Sequence, residues 1–223
     1  ALGTSNQALA DRTSECSRGG ISVSGDFHGL PIRSIGNEHL RLEFLAEEGP
    51  RIVRLFLAGH SGNLFAELPG FTMSTPLGEY TFHGGHRLWH SPEAFPRSYI
   101  PDHGRLGVEE TERGVRLVQP TETETGIKRF VDVELDPDRT AATLRHTLRN
   151  EGFWPVELAP WAITQLPLGG VGIFPQQVGP LDEAGLLPNR HLVLWPYASW
   201  QDQRLQLNDD YVLVSAEPAL PPL

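Results

Sequence analysis

The chain has one cysteine, Cys16, among its 223 residues. A single thiol excludes an internal disulfide and a multi-thiolate zinc cage. The polar run around it, ALADRTSECSRGG, gives it no setting as a nucleophile. Basic charge is also scarce: 18 Lys and Arg stand against 28 Asp and Glu, a formal net charge of −10. Nucleic-acid binders present a basic face, so no nucleic acid is expected as a partner. No apolar run reaches ~18 residues, so no segment is expected to span or coat a membrane. The GxSxG elbow, the GxGxxG dinucleotide loop and the GxxxxGK[ST] phosphate loop are missing, and no repeat of fixed length is visible. No stretch of ~12 residues carries an apolar helical stripe capped at both ends, and LDEAGLL offers one short turn of helix at most. Neither an initiator Met nor a signal-peptide pattern opens the chain, which leaves its compartment open. Its oligomeric state is equally unmarked.

What is present is alternation with a period of two. In HLRLEFL, Leu40, Leu42 and Phe44 share one face while His39, Arg41 and Glu43 share the other. GIKRFVDVEL sets Ile127, Val131, Val133 and Leu135 against Lys128, Asp132 and Glu134. TAATLRHTLRNEG sets Ala142, Leu144, His146 and Leu148 against Thr143, Arg145, Thr147 and Arg149. Half-buried strands give this pattern. With 23 Gly and 19 Pro punctuating the runs, it predicts an all-β fold of mostly antiparallel strands, a sandwich rather than a barrel. Residues 1–20 have little to bury and read as a flexible arm; residues 21–223 read as one domain.

The stretch YTFHGGHRLWHSPEAFPRSYIPD, Tyr80 to Asp102, concentrates the chemistry. His83, His86 and His90 have the spacing of one helix face, but Gly84 and Gly85 each cost a helix ~1 kcal/mol relative to Ala. In an extended segment His86 and His90 stand ~13 Å apart. The stretch is therefore not read as a metal cage, and no metal or cofactor is expected. A sugar platform suits it better. Pyranose C–H faces stack on rings, and hydroxyls want Arg, His and carboxylates, which Arg87, Trp89, His90 and Glu93 supply, with His86 beside them. Glu157, Trp161, Gln176 and Asp202 are candidate contributors from later strands, Glu157 and Trp161 sharing strand parity. The plainer alternative makes Trp89, Trp154, Trp161 and Trp195 core or edge aromatics. Parity sharpens the test: Arg87 and Trp89 face one side and His86 and His90 the other, unless the chain turns near Ser91–Pro92. His103, in PDHGRLG, has the ordinary pKa of ~6.5 that suits proton shuttling, or is a solvent-exposed turn residue. His146 lies on an apolar strand face and reads as a hydrogen-bonded core residue. Glu93 and Glu157 are the carboxyl pair a glycosidase would need ~5–9.5 Å apart.

Three segments resemble galactose-mutarotase-like (aldose 1-epimerase-like) proteins. HTLRNEGFWPVELAPWAITQLPLGGVGIFPQ is similar to the family's central strands, and FHGGHRLWHSPEAFPRSYIPD to the loop it places over the sugar ring. LVLWPYASWQD followed by YVLVSAEP looks like a later strand pair. The resemblance runs from about Asn37 to Glu217. It implies a β-supersandwich with a site for a mono- or oligosaccharide, and a histidine acid working with a carboxylate base. Trp161 stands where a family strand would present a histidine, and Glu217 is the nearest candidate for a C-terminal base. The resemblance therefore implies a carbohydrate-binding domain whose catalysis is lost. The alternative is an epimerase that interconverts anomers through His90 or His103 with Glu93. A polysaccharide lyase or glycoside hydrolase on the same fold is the third reading.

Overall fold

The computed structural model describes residues 21–196 and 198–217, and strands make up nearly all of their regular structure. The expected arm over residues 1–20, with Cys16, lies outside the described residues. The chain divides into two compact units, one ending at Leu166 and the other beginning at Pro167.

The first unit carries twelve strands: β1 (Ser22–Phe27), β2 (Leu30–Gly36), β3 (Leu40–Leu45), β4 (Arg51–Leu57), β5 (Glu67–Thr75), β6 (Gly78–Gly84), β7 (His86–Ser91), β8 (Gly107–Thr111), β9 (Gly114–Val118), β10 (Ile127–Leu135), β11 (Ala142–Asn150) and β12 (Ala159–Thr164). They form a six-stranded sheet in the order β1-β2-β3-β4-β7-β12, a four-stranded sheet β11-β10-β9-β8, and the hairpin β5-β6. Every pairing between these strands is antiparallel. Ile35, Leu40, Leu42, Phe44, Ile52 and Leu88 of the large sheet meet Val115, Leu117, Val131, Val133 and Leu135 of the four-stranded sheet in one buried cluster. Burying side chains of this size contributes about 1.5–3 kcal/mol each. The expected all-β sandwich is what forms, and the alternating runs lie in β3, β10 and β11 with their apolar residues inward.

The other face of the large sheet is covered as well. Phe27, Ile32, Leu45 and Val53 make a second cluster there, and Tyr80 and Phe82 of β6 pack against Trp89 of β7. This corrects the outward assignment of Glu43: it is 3% exposed and is held by Arg41 and Arg54. A carboxylate at such a position must be paired, because an uncompensated buried charge is costly.

The first half of the segment read as a loop over a ligand is instead strand: β6 ends on Gly84, Gly85 follows, and β7 runs from His86 to Ser91. Gly84 (φ +87°) and Gly85 (φ +63°) sit where three chains converge. A Cβ on Gly84 would stand 2.1 Å from the Ala66 carbonyl oxygen, and one on Gly85 2.2 Å from that of Ile52. Gly85 N–H donates to Ala66, whose own N–H donates to Gln165, and Gln165 N–H donates back to Gly85. The glycines therefore admit neighbouring backbone, and that room is already filled.

In the second unit, β13 (Val171–Pro175), β14 (Leu205–Leu207) and β15 (Tyr211–Ser215) form a sheet ordered β13-β15-β14. LDEAGLL makes no helix: Asp182 accepts from the backbone N–H groups of Ala184 and Leu187 and folds the segment into a turn. Of the expected later strand pair only YVLVS is a strand; the described residues of LVLWPYASWQD are irregular, with Trp195 and Trp200 exposed.

Candidate functional site

Strand β7 sorts the central residues by parity. It stays extended through Ser91, so Arg87 and Trp89 point to the hairpin side of the large sheet, while His86 and His90 point between the two larger sheets. The four residues do not share a cleft.

On the hairpin side, Trp89 donates from Nε1 to the Tyr80 hydroxyl at 2.8 Å. It packs against Tyr80, Phe82, Tyr99 and Trp161. Arg87 lies over the Trp89 ring at 4.4 Å and donates to Gln165 Oε1 at 2.6 Å. Burial lowers its pKa to about 10, so the guanidinium stays charged at neutral pH. Trp161 reaches this cluster because β12 pairs with β7 and sets it opposite Trp89. Glu93 is exposed and accepts from the Tyr99 hydroxyl. Arg87, Trp89, Trp161 and Glu93 thus gather around one set of rings, but Trp89 is only 4% exposed and offers no face to a ligand. Behind the rings, Arg51 donates to Asp102 Oδ2 at 2.7 Å and to the Tyr80 hydroxyl at 2.6 Å.

On the other side, His90 is 1% exposed and neither ring nitrogen has a hydrogen-bond partner. Glu122, 3.9 Å away, is ion-paired with Arg129, which also donates to Gln119. Burial, with the Arg129 and Arg97 charges adding to it, lowers the His90 pKa to about 4. His86 meets His146 of β11, so His146 is the hydrogen-bonded inward residue expected of its strand face. His83, His86 and His90 have three different sets of partners.

His103 sits at a cleft. An isolated bridge joins Glu48 to His103, beside a cavity of about 760 Å³ lined by Arg33, Glu47, Glu48, His103, Arg105 and Leu106 among others. Glu48 is clamped between two imidazoles, Oε2 lying 2.9 Å from His83 Nε2 and Oε1 lying 3.2 Å from His103 Nδ1. His83 reaches it from a left-handed backbone (φ 58°), a region His enters more readily than most residues. The hydrogen bond from His83 lowers the Glu48 pKa against the opposing effect of burial, and the two imidazole charges add to it. Burial pushes His103 down, but its hydrogen bond to the Glu79 carbonyl and the Glu48 carboxylate outweigh that and raise it. Arg33 and Arg105 form no ion pair among the described residues, and Arg33 Nε is buried without a partner.

The remaining expected residues belong to other segments. Glu157 is exposed in the irregular segment before β12, so the shared strand parity with Trp161 does not apply. Gln176 and Asp202 belong to the second unit, where Gln176 N–H donates to the Asp210 carbonyl. Asp202 pairs with Arg204 at 2.6 Å, and the hydrogen bonds from Arg204 bring its pKa to about 2. Sequence reasoning missed Glu48, Arg33 and Arg105. The only local signal was the turn AEEGP after a buried strand, because Glu48 and His103 meet only in three dimensions. The chain matches no known protein-family model and no curated protein.

Proposed function

We propose that the first unit binds a carbohydrate in the cleft beside His103. The observation that carries this reading is the lining: two guanidiniums free of carboxylates, two carboxylates and a half-exposed imidazole around about 760 Å³. Small-ligand sites run to ~300–1,000 Å³. A sugar presents hydroxyls that both donate and accept, which suits walls of both charge signs, and the half-buried Val108 supplies apolar surface for its C–H groups. The resemblance to galactose-mutarotase-like proteins, on an all-β sandwich, supports the same substrate class. Calorimetric titration with a panel of mono- and oligosaccharides tests it. Arg33→Ala and His103→Ala should each weaken the observed binding by ~1–3 kcal/mol. A bound sugar whose affinity neither substitution changes would place the site elsewhere.

The His103–Glu48 contact favours a second reading, anomer interconversion by acid–base catalysis. His103 is 48% exposed on its side chain, and a carboxylate that fixes an imidazole's tautomer and charge prepares it to pass a proton at the sugar ring. Polarimetry of freshly dissolved α-anomers would then show faster mutarotation, and Glu48→Gln should lower that rate ~100-fold or more. Unchanged mutarotation with measurable binding leaves the binding reading alone.

The pair also predicts a pH window. Glu48 is depressed, so its contribution to stability is present above its ordinary 4.5 and is lost as pH falls through its folded value. His103 is raised, so its contribution is complete below its ordinary 6.5 and is lost as pH rises through its folded value. Urea midpoints of wild type and Glu48→Gln should differ most between these limits, converge as pH falls, and draw closer as pH rises through the folded value of His103. A difference that grows steadily above pH 8 would contradict the pairing.

A further inference from the structure

His86 and His146 bring two ring nitrogens together across the gap between the larger sheets, His86 from β7 and His146 from β11. Their Nε2 atoms are 2.8 Å apart, with the rings tilted by 44°. His86 Nδ1 lies 2.8 Å from the Thr164 hydroxyl on β12. The Thr164 hydroxyl can donate or accept here; where it accepts, the His86 proton sits on Nδ1 and the Nε2 lone pair is directed at His146. Metal-bound histidines are oriented in the same way, the second ring nitrogen donating to a fixed acceptor.

We infer that His86 and His146 form a two-imidazole site for a borderline divalent cation such as zinc. Two nitrogens bound at ~2.0–2.1 Å around a tetrahedral centre lie ~3.3 Å apart, so about half an ångström of separation admits the ion. Whichever ring carries its proton on Nε2 moves it to Nδ1 on binding, and no net proton is released. Among the described residues no group of three or more His, Cys, Asp or Glu could hold a metal; the protein supplies two ligands here, and water completes the coordination. The ion would join the large sheet to the edge of the four-stranded sheet, so occupancy would be felt as stability.

Thermal melts of the whole chain with added zinc chloride test this. The melting temperature of wild type should rise by ~3–5 °C for each tenfold increase in zinc above its Kd. His146→Gln, on a half-buried strand position, should melt as a folded protein and lose the rise. Cobalt(II) provides a readout independent of stability: wild type should develop tetrahedral visible absorption bands that His86→Gln and His146→Gln lack. An unchanged wild-type melt together with no cobalt bands would overturn the site. So would a zinc response that survives His146→Gln, or one abolished by Glu48→Gln alone, which would assign the ion to the His83–Glu48–His103 cluster.

Discussion

Asp102→Asn should destabilise the first unit by about 3–5 kcal/mol, because it strands the Arg51 guanidinium without a counter-charge. Arg51 is 1% exposed. Its other partners, the Tyr80 hydroxyl and the carbonyls of Thr81 and Phe82, are neutral. Asparagine keeps the shape and a hydrogen bond, so the loss isolates the charge. The pair itself is a different matter. Replacing both members by apolar groups of similar volume, as in Arg51→Met with Asp102→Leu, should cost far less than the single change. Urea denaturation of wild type, Arg51→Met, Asp102→Leu and the double variant closes the cycle, with Asp102→Asn alongside. Equal losses in Asp102→Asn and the double variant would show that the ion pair does not hold this region. Burial alone would raise the Asp102 pKa, but Arg51 lies close enough to reverse that and lower it. The carboxylate's contribution is therefore present above its ordinary 3.8 and disappears as pH falls through its folded value.

Trp89→Ala should cost a comparable ~3–5 kcal/mol through the cavity left behind. Four rings and the Arg87 guanidinium rest on the indole, and the indole N–H satisfies Tyr80. Trp89→Phe separates the contributions, since it keeps a ring under Arg87 but drops the hydrogen bond, with ~1 kcal/mol assigned to the latter. A surface indole waiting for a sugar would give a different result. Its removal would leave the denaturation midpoint within ~0.5 kcal/mol of wild type and change only ligand affinity.

The two outcomes trace what the sequence could disclose. β10 and β11 were legible because each has one buried face, so Val133, Leu144 and Leu148 alternate with charged or hydroxylated neighbours. β7 was not. A strand covered on both sides shows no apolar-polar alternation, and in HRLWHS the side chains of His86, Arg87 and Trp89 find their partners on β11, β12, Gln165 beyond it, and β6. Behind a Gly-Gly pair such a strand reads as a loop. Parity nevertheless separated Arg87 and Trp89 from His86 and His90, because that rule needs only an extended backbone. Of the cleft only His103 was legible: Arg33 and Glu48 come from earlier segments and meet it only in three dimensions, and Arg105 carries no local pattern. In each case the unread part depended on long-range pairing.

The order in which the sandwich is assembled has a consequence for biosynthesis. The apolar side of β2, β3 and β4 is covered by Val115, Leu117, Val131 and Val133, all of which follow it in the chain. Asn37 donates to the Asp136 carbonyl across 99 positions. At ~5–20 residues per second a ribosome leaves Ile35, Leu42 and Phe44 without their cover for on the order of ten seconds. β12 then adds to β7 as the last strand of the large sheet. During that interval the nascent chain carries an uncovered sheet face and an open strand edge, the features that chaperones bind and that aggregation exploits. The yield of folded protein in a cell thus depends on how well the first half of the chain is shielded while the second half is made.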